Sequence, residues 1–293
     1  MDVCISIVNY NTEKLLKGCL QSIISRKWRN NIKINVLDNA SSDGSTKMLK
    51  EEFPSVNLIE NKINAGFGAG HNILFKNAKT DYFLVLNSDT LIQNNSIDNM
   101  VDFMEENPGC GIASCKILGF DGKLQPNAGD LPFGISLISW LFNLEIVGIK
   151  DSFHRNEPSF YETAHEVGWV SGNFMMIKDR LIREIGYFDE DYFMYFEDTE
   201  LCYRVKQGGF KIMINPKTSI KHLSGGSLDD PNFKQWSGEY KGLVHFYFKY
   251  FGIFAGVGVK FLSYLSILLR IIFFAFGRKV NISLTYGKVI ASI

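Results

Sequence analysis

Beyond Glu239 the chain has no acidic residue, while seven bases follow: Lys241, Lys249, Lys260, Arg270, Arg278, Lys279 and Lys288. With 31 basic and 31 acidic side chains in all, residues 1–239 hold 24 bases against 31 acids, a net of −7. An acidic body with a basic, apolar tail argues against nucleic acid as a partner. It points to a domain whose C-terminus meets an anionic membrane surface. Cysteine is scarce and odd in number: Cys4, Cys19, Cys110, Cys115 and Cys202. No pair has metal-ligand spacing, which excludes a disulfide framework or a zinc cluster and predicts reduced thiols. The N-terminus lacks a basic-then-apolar leader, because Asp2, Asn9, Asn11 and Glu13 interrupt it. The expected location is therefore cytoplasmic, peripheral on the inner face of the cell membrane.

A long uncharged apolar run is also missing. Lys260 and Arg270 divide Phe251–Phe276, so no stretch reaches the roughly 18 residues of a spanning helix. A charge at mid-bilayer costs about 2.5–3.5 kcal/mol. At about 100° per residue, Lys249, Lys260 and Arg278 share one face with Arg270 close by, which predicts a helix lying in the membrane interface. A tilted span, a packed core helix and a dimer helix are the alternatives, and Gly252-x-x-x-Gly256 would suit close packing in a homodimer.

What is present is an alternation of β-type and helical patterns. Strands are expected at Val3–Val8, Ile32–Leu37, Val56–Ile59 and Tyr82–Leu86. Helices are expected at Thr12–Ser25, Ser45–Glu52, Gly66–Lys79 and Ile97–Glu106. This order implies a parallel sheet with helices on both faces. Each strand runs into polar residues: Asn9, then Asp38-Asn39, then Asn61 and Asn64, then Asn87 and Asp89. Asn and Asp are ordinary turn formers. Four such ends together mark a ligand site, because open parallel sheets bind ligands at the carboxyl ends of their strands. Further on, Gly111–Leu118, Trp169–Ile177, Lys211–Ile214 and Ser219–Lys221 read as strands. Asp179–Ile185 and Glu197–Gln207 read as helices, while residues 127–165 form an unassigned excursion.

A carboxylate at a buried strand's end, as in Asn87-Ser88-Asp89-Thr90, can hold a divalent cation that binds substrate phosphate. To this are added Val36–Ser45, with Asp38 and Asp43, and the glycine-rich Asn64–Asn72. Gly186-Tyr187-Phe188-Asp189-Glu190, Tyr195–Arg204, His222 and Gly225-Gly226-Ser227 complete the set. Together, from Val3 to about Ser227, these segments resemble family 2 glycosyltransferases of the GT-A fold, in particular the rhamnosyltransferase-like branch.

The resemblance implies an α/β GT-A fold followed by an apolar, basic helical tail. Residues 1–239 would be the glycosyltransferase domain, with 1–109 the nucleotide-binding half and 110–239 the acceptor and catalytic half. Residues 240–293 would be a membrane-associating tail. Asn9, Asn11, Asp38, Asp43, Asn64, Gly66, Asn72, Asn87 and Ser88 would bind the nucleotide. A carboxylate suits the N3–H of uracil or thymine because it only accepts, and small residues at a helix start let a diphosphate approach. For Gly66, Gly68 and Gly70, helix–sheet packing is the plain alternative. Asp89 and His222 would hold Mg²⁺ or Mn²⁺, although Asn87 stands where the family often has a first Asp. Asp198, with Glu197 beside it, would be the catalytic base of an inverting transfer. Its place at a helix start lowers a carboxylate's pKa, whereas burial would raise it. Trp169, Ser171 and Gly172 match the acceptor side, where Trp169 would stack on a sugar or sit in the core. His154, Arg155 and His165 receive no role.

The expected activity is transfer of a sugar, rhamnose from dTDP-rhamnose in first place, to a hydroxyl of a lipid-linked saccharide in surface polysaccharide synthesis. Another UDP-sugar transferase of the same family is the nearest alternative. Nucleotidyl transfer would call for a basic glycine-rich loop where Asn9-Tyr10-Asn11-Thr12 stands. A non-catalytic scaffold would lack Asp89 or Asp198, and both are present.

Overall fold

The computed structural model describes residues 1–223 and 231–293. The expected Gly225-Gly226-Ser227 motif lies outside the described residues. Strands β1 (Asp2–Asn9), β2 (Asn31–Asp38), β3 (Asn57–Glu60) and β4 (Tyr82–Asn87) are parallel in the order β3-β2-β1-β4. They are linked by helices α1 (Glu13–Ile24), α2 (Ser45–Glu52) and α3 (Phe67–Lys76). These strands are apolar along their length because both faces of the sheet are covered. In β4, Leu84 and Leu86 belong to one buried cluster with Leu16 of α1 and Leu49 of α2, while Phe83 and Val85 belong to another with Phe75 of α3. The alternation read from the sequence is present, each helix ending within a few residues of its expected bound.

After β5 (Thr90–Leu91) and α4 (Ser96–Glu106) the sheet becomes mixed. β6 (Cys110–Leu118) is separated from β4 by β10 (Phe174–Lys178), antiparallel to both. The excursion between them forms β7 (Ala128–Gly129), α5 (Ile135–Phe142) and β8 (His165–Glu166). The strand expected over Trp169–Ile177 is interrupted. Trp169–Val170 forms β9, paired with β7 in a separate two-stranded sheet, and the chain turns at Ser171–Asn173 before β10. Next come α6 (Asp179–Ile185), α7 (Glu197–Gln207) and β11 (Lys211–His222). β11 is one strand rather than the expected two. It is parallel to β6, with an irregularity between Asn215 and Ser219 around Pro216, and its end pairs with β5.

The C-terminal region is a helical hairpin. α8 (Pro231–Phe276) is broken at Gly252, whose φ of 80° and ψ of −178° are outside the helical region. By length and composition Phe233–Phe276 would suit a membrane crossing, but the break divides it. The first part packs on the α/β body through Tyr240, Leu243 and Phe246, and Tyr247 Oη donates to Pro132 O at 2.7 Å. The second part folds back, with Tyr240 Oη 3.1 Å from Ser266 Oγ. α9 (Val280–Ile290) closes the group, Tyr286 stacking on Trp236 at 4.3 Å.

This arrangement corrects the basic stripe expected on one helix face. Lys249 Nζ lies 2.8 Å from Asp189 Oδ2 and 3.0 Å from the buried Glu200 Oε1. The Arg270 guanidinium donates to the carbonyls of Trp140 (2.8 Å) and Leu141 (3.2 Å), and Lys260 Nζ to Ile293 O (3.0 Å). A single straight helix would align these bases outward; instead Lys249 and Arg270 find partners in residues 1–223, Arg270 after the break at Gly252, and Lys260 finds its own at the C-terminus. The outward face is apolar instead, with Ile253, Phe254, Phe261, Phe273 and Phe276 exposed.

Candidate active site

Parallel register sets Asn9 of β1 opposite Asp38 of β2, and Val8 opposite Asn87 of β4. Asn9 Nδ2 donates to Asp38 Oδ1 at 2.8 Å, and Ser41 N donates to Asp38 Oδ2 at 2.9 Å. Thr12 Oγ1 donates to Asn9 Oδ1 at 2.5 Å and lies 2.8 Å from Ser88 Oγ, so the three strand ends form one polar network. Asn11 Oδ1 accepts from Ser42 N (2.7 Å) and Asp43 N (3.3 Å). Asp43 accepts from Glu13 N and Ser45 N, the first residues of α1 and α2. Burial pushes the Asp43 carboxyl up, but these hydrogen bonds prevail and hold it below the usual range.

Asn39, read from the sequence only as part of a polar strand end, is an organiser. Its Nδ2 donates to Asn64 Oδ1 (2.9 Å) and Gly66 O (3.1 Å), and its Oδ1 accepts from Ala65 N (3.1 Å). Gly66 has φ 90°, and a Cβ there would stand 2.3 Å from Phe193 O. A Cβ on Gly70 would meet Val8 at 2.8 Å. Close packing therefore explains both glycines. The amide of Asn72 is taken up by the backbone of Phe188 and by Glu190 Oε1, tying α3 to the Gly186–Glu190 segment.

The β5–β11 pairing brings His222 to Asp89, with Nε2 3.1 Å from Oδ1. Gln125, which carried no signal in the sequence, orients the ring. Its Nε2 donates to His222 O (3.0 Å), so its Oε1 is the atom that accepts from His222 Nδ1–H (2.9 Å). His222 Nε2 faces Asp89 Oδ1 and lies 3.2 Å from Asn87 Nδ2. An imidazole nitrogen and a carboxylate oxygen are both metal-ligand atoms, and their separation is one that a cation can bridge. Adjacent ligands of an octahedral ion at about 2.1 Å stand about 3 Å apart, and an imidazole fixed through its other nitrogen is the usual arrangement of a metal ligand. The residues present thus fit a divalent cation. A second group, Asp189, Asp191 and His245, is also close enough together to hold an ion, but Lys249 already supplies its positive charge.

Across the Ser171–Asn173 turn lies the carboxylate pair. Gly172 N donates to Asp198 Oδ2 (3.0 Å) and Thr199 N to Asp198 Oδ1 (2.7 Å). On the other side of the turn, Asn87 N donates to Asn173 O (3.1 Å). Tyr195 and Phe196, just before the pair, have φ of 70° and 77°, the left-handed strain that concentrates at functional sites. Burial raises the pKa of Asp198 despite the N–H groups of Gly172 and Thr199. Of the two opposed influences expected at this helix start, burial prevails. Glu197 is raised well above the usual range by burial and by the charge of Asp198, and its Oε2 is buried without a partner. Trp169 is a core residue: it is 6% exposed, its Nε1 donates to Phe153 O at 2.9 Å, and it has no free face for a sugar. Ser171 and Gly172 do border Asp198.

A match to the model of glycosyl transferase family 2 covers residues 4–185. The chain belongs to glycosyl transferase family 2. It is a glycosyltransferase of the GT-A fold, similar to rhamnosyltransferases. It is 27% identical over 212 residues to the N-acetylglucosaminyl-diphospho-decaprenol L-rhamnosyltransferase of Mycobacterium tuberculosis, spanning 65% of this chain and 66% of that protein, just under two thirds of its length. With rhamnosyltransferase WbbL of Escherichia coli K12 the identity is 24% over 229 residues, 76% of this chain and 83% of the relative. The mannosyltransferase PcManGT of Pyrobaculum calidifontis, solved with GDP-Man and Mn²⁺, shares the fold at a TM-score of 0.59 and 14% identity, over 99% of this chain and 83% of that one.

Proposed function

We propose that this family 2 glycosyltransferase moves rhamnose from dTDP-rhamnose to a hydroxyl of a lipid-linked saccharide, with inversion, in surface polysaccharide synthesis at the inner face of the cell membrane. One observation carries the reading. The Ser171–Asn173 turn is hydrogen-bonded to Asp198 on one side and to Asn87, two residues from Asp89, on the other. A proton acceptor and a charge-binding pair thus flank one backbone turn, as an attack from one face and a departure from the opposite face require.

In this reading Asp38 accepts from the base, with Asn9, Asn11, Ser88 and Asn87 around the nucleotide. Asp43, Asn64, Gly66 and Asn72 shape the loops that hold it. Asp89 and His222 would hold Mg²⁺ or Mn²⁺, which would neutralise the charge of the departing diphosphate. Asp198 takes the acceptor hydroxyl's proton at a carboxylate oxygen. Glu197 is held higher than its usual range by burial and by the charge of Asp198, which leaves Asp198 the better placed to act as the base. Ser171 and Gly172 border the acceptor, and Trp169 supports them from the core. The exposed apolar face of the hairpin rests on the membrane. The mycobacterial relative's name supports a lipid-linked acceptor.

Calorimetry of dTDP, UDP and GDP, each with Mn²⁺ and with EDTA, tests the donor side. Metal-dependent binding of dTDP, or of UDP, is expected. Absence of binding by folded protein to every diphosphate would sink the proposal, and tighter binding of GDP would reassign the donor.

A further inference from the structure

The first part of α8 does more than cover the core. A Cβ on Gly238 would stand 2.7 Å from Met194 O, and one on Gly242 would stand 2.4 Å from Phe196 Cβ. Only a glycine pair one helical turn apart lets this helix press on the strained turn that carries Glu197 and Asp198. Glu239 lies between the two glycines. It is half-buried, accepts from Gln235 Nε2 at 2.9 Å, and makes no ion pair among the described residues. The ring of Trp140 lies 6.0 Å from that of Tyr240, the residue after Glu239, and 5.9 Å from that of His154.

His154 comes from the excursion before β8. Its ring is held edge-on by Phe153 at 4.5 Å and Trp169 at 5.6 Å, and its Nδ1 lies 3.6 Å from Asp151 Oδ2. Its Nε2 makes no hydrogen bond among the described residues, and the side chain keeps 29% of its surface exposed. Neither group has a part in the transfer chemistry set out above, yet both are held rigidly beside it.

We propose that Glu239 and His154 form a subsite for the acceptor sugar, beside Asp198, in which the carboxylate accepts from one ring hydroxyl and the imidazole bonds another. This rests on the glycosyl-transfer reading and adds the recognition of its acceptor. A sugar hydroxyl both donates and accepts, so an acceptor-only carboxylate and an imidazole are complementary to two neighbouring hydroxyls. The sign of the charge selects the ligand further. The Gly238–Gly242 contact sets the helix turn bearing Glu239 against the turn that precedes Asp198, so two carboxyl groups border the subsite; a phosphate of the lipid linkage is repelled there, and a neutral sugar ring takes the place. Burial raises the Glu239 carboxyl. Burial pushes His154 down, but Asp151, Glu239 and Asp198 together carry it above its ordinary value.

The test uses the full chain loaded with dTDP or UDP and Mn²⁺. Saturation-transfer NMR is recorded with N-acetylglucosamine, glucose and rhamnose as probes, for the wild type, Glu239→Gln and His154→Gln. Glu239→Gln keeps the size of the side chain and an acceptor for Gln235, so folding is preserved, as thermal melting will verify. Saccharide binding is expected in the wild type and should weaken about tenfold or more in each variant, the loss of one hydrogen bond to a charged group. Nucleotide binding should stay the same. Unchanged saccharide binding in both variants would overturn the subsite, and so would a nucleotide-loaded wild type that binds none of the three sugars. Failure of the nucleotide to bind at all would instead strike the donor reading.

Discussion

The carboxylates on the two sides of the Ser171–Asn173 turn are held in opposite ways. On the donor side, Asp38 and Asp43 lie among backbone and amide N–H groups, and the Asp43 carboxyl is held low. Asp89 faces the His222 imidazole, which Gln125 orients. On the acceptor side, Glu197, Asp198 and Glu239 are all raised, with burial the main cause each time. One wall sets carboxylates among N–H donors and a metal-type ligand; the other keeps carboxylates whose affinity for a proton is high. A general base is most effective when its pKa approaches the working pH, so the asymmetry matches a division of labour between holding charge and accepting a proton.

The largest effect is expected from Asp198→Asn, which should cut turnover about 10²–10⁴-fold while dTDP or UDP binding measured by calorimetry persists. Retained turnover would erase the contrast between the walls. Next, Asp89→Ala should abolish the metal-dependent part of nucleotide binding. Gln125→Ala should weaken Mn²⁺ affinity about 10–100-fold, the usual effect of removing a ligand's hydrogen-bond partner, without changing metal-free binding. The pH profile of kcat/KM should fall on its acid side above the ordinary carboxylate range, because Asp198 must be ionised to act. The pair's titration is shared between Glu197 and Asp198. The smallest effect concerns stability. A carboxyl with a raised folded-state pKa costs stability above that pKa; the cost shrinks as pH falls below the raised value and is gone below the ordinary carboxylate range. Glu197→Gln should therefore melt a few degrees higher than wild type near pH 8, and the gap should narrow on acidification. A gap that widens toward low pH would contradict the raised carboxyl.

The donor half was the more legible in sequence because its logic is local. A buried parallel strand is a continuous apolar run, and the polar residue that ends it sits at the sheet's carboxyl edge. Asn9, Asp38 and Asn87 come together for that reason. The rest of the site and the tail depend on distant partners. Gln125 reaches His222 across 97 residues, and nothing in its neighbours marks it. Lys249 looked like a solvated charge until Glu200, 49 residues earlier, proved to lie beneath it. Tyr240, Leu243 and Phe246 have the period of a membrane-facing stripe, yet they meet the catalytic body. Periodicity tells which residues of a helix face an apolar medium; it does not tell whether that medium is lipid or protein. Trp169 illustrates the same limit, since an aromatic that could stack on sugar is here enclosed by Phe153 and its carbonyl.

All five cysteines are buried, and burial pushes every thiol up, Cys4 and Cys110 to about 12. Since the thiolate is the nucleophile, the folded chain should behave toward maleimide as though it had no cysteine. A dye could then be attached at one chosen place without removing any native residue. Phe254→Cys, at a side chain 93% exposed on the outer face of the hairpin, would carry an environment-sensitive fluorophore. Its emission should shift to the blue when anionic vesicles are added. An unshifted spectrum would mean that this face stays in water.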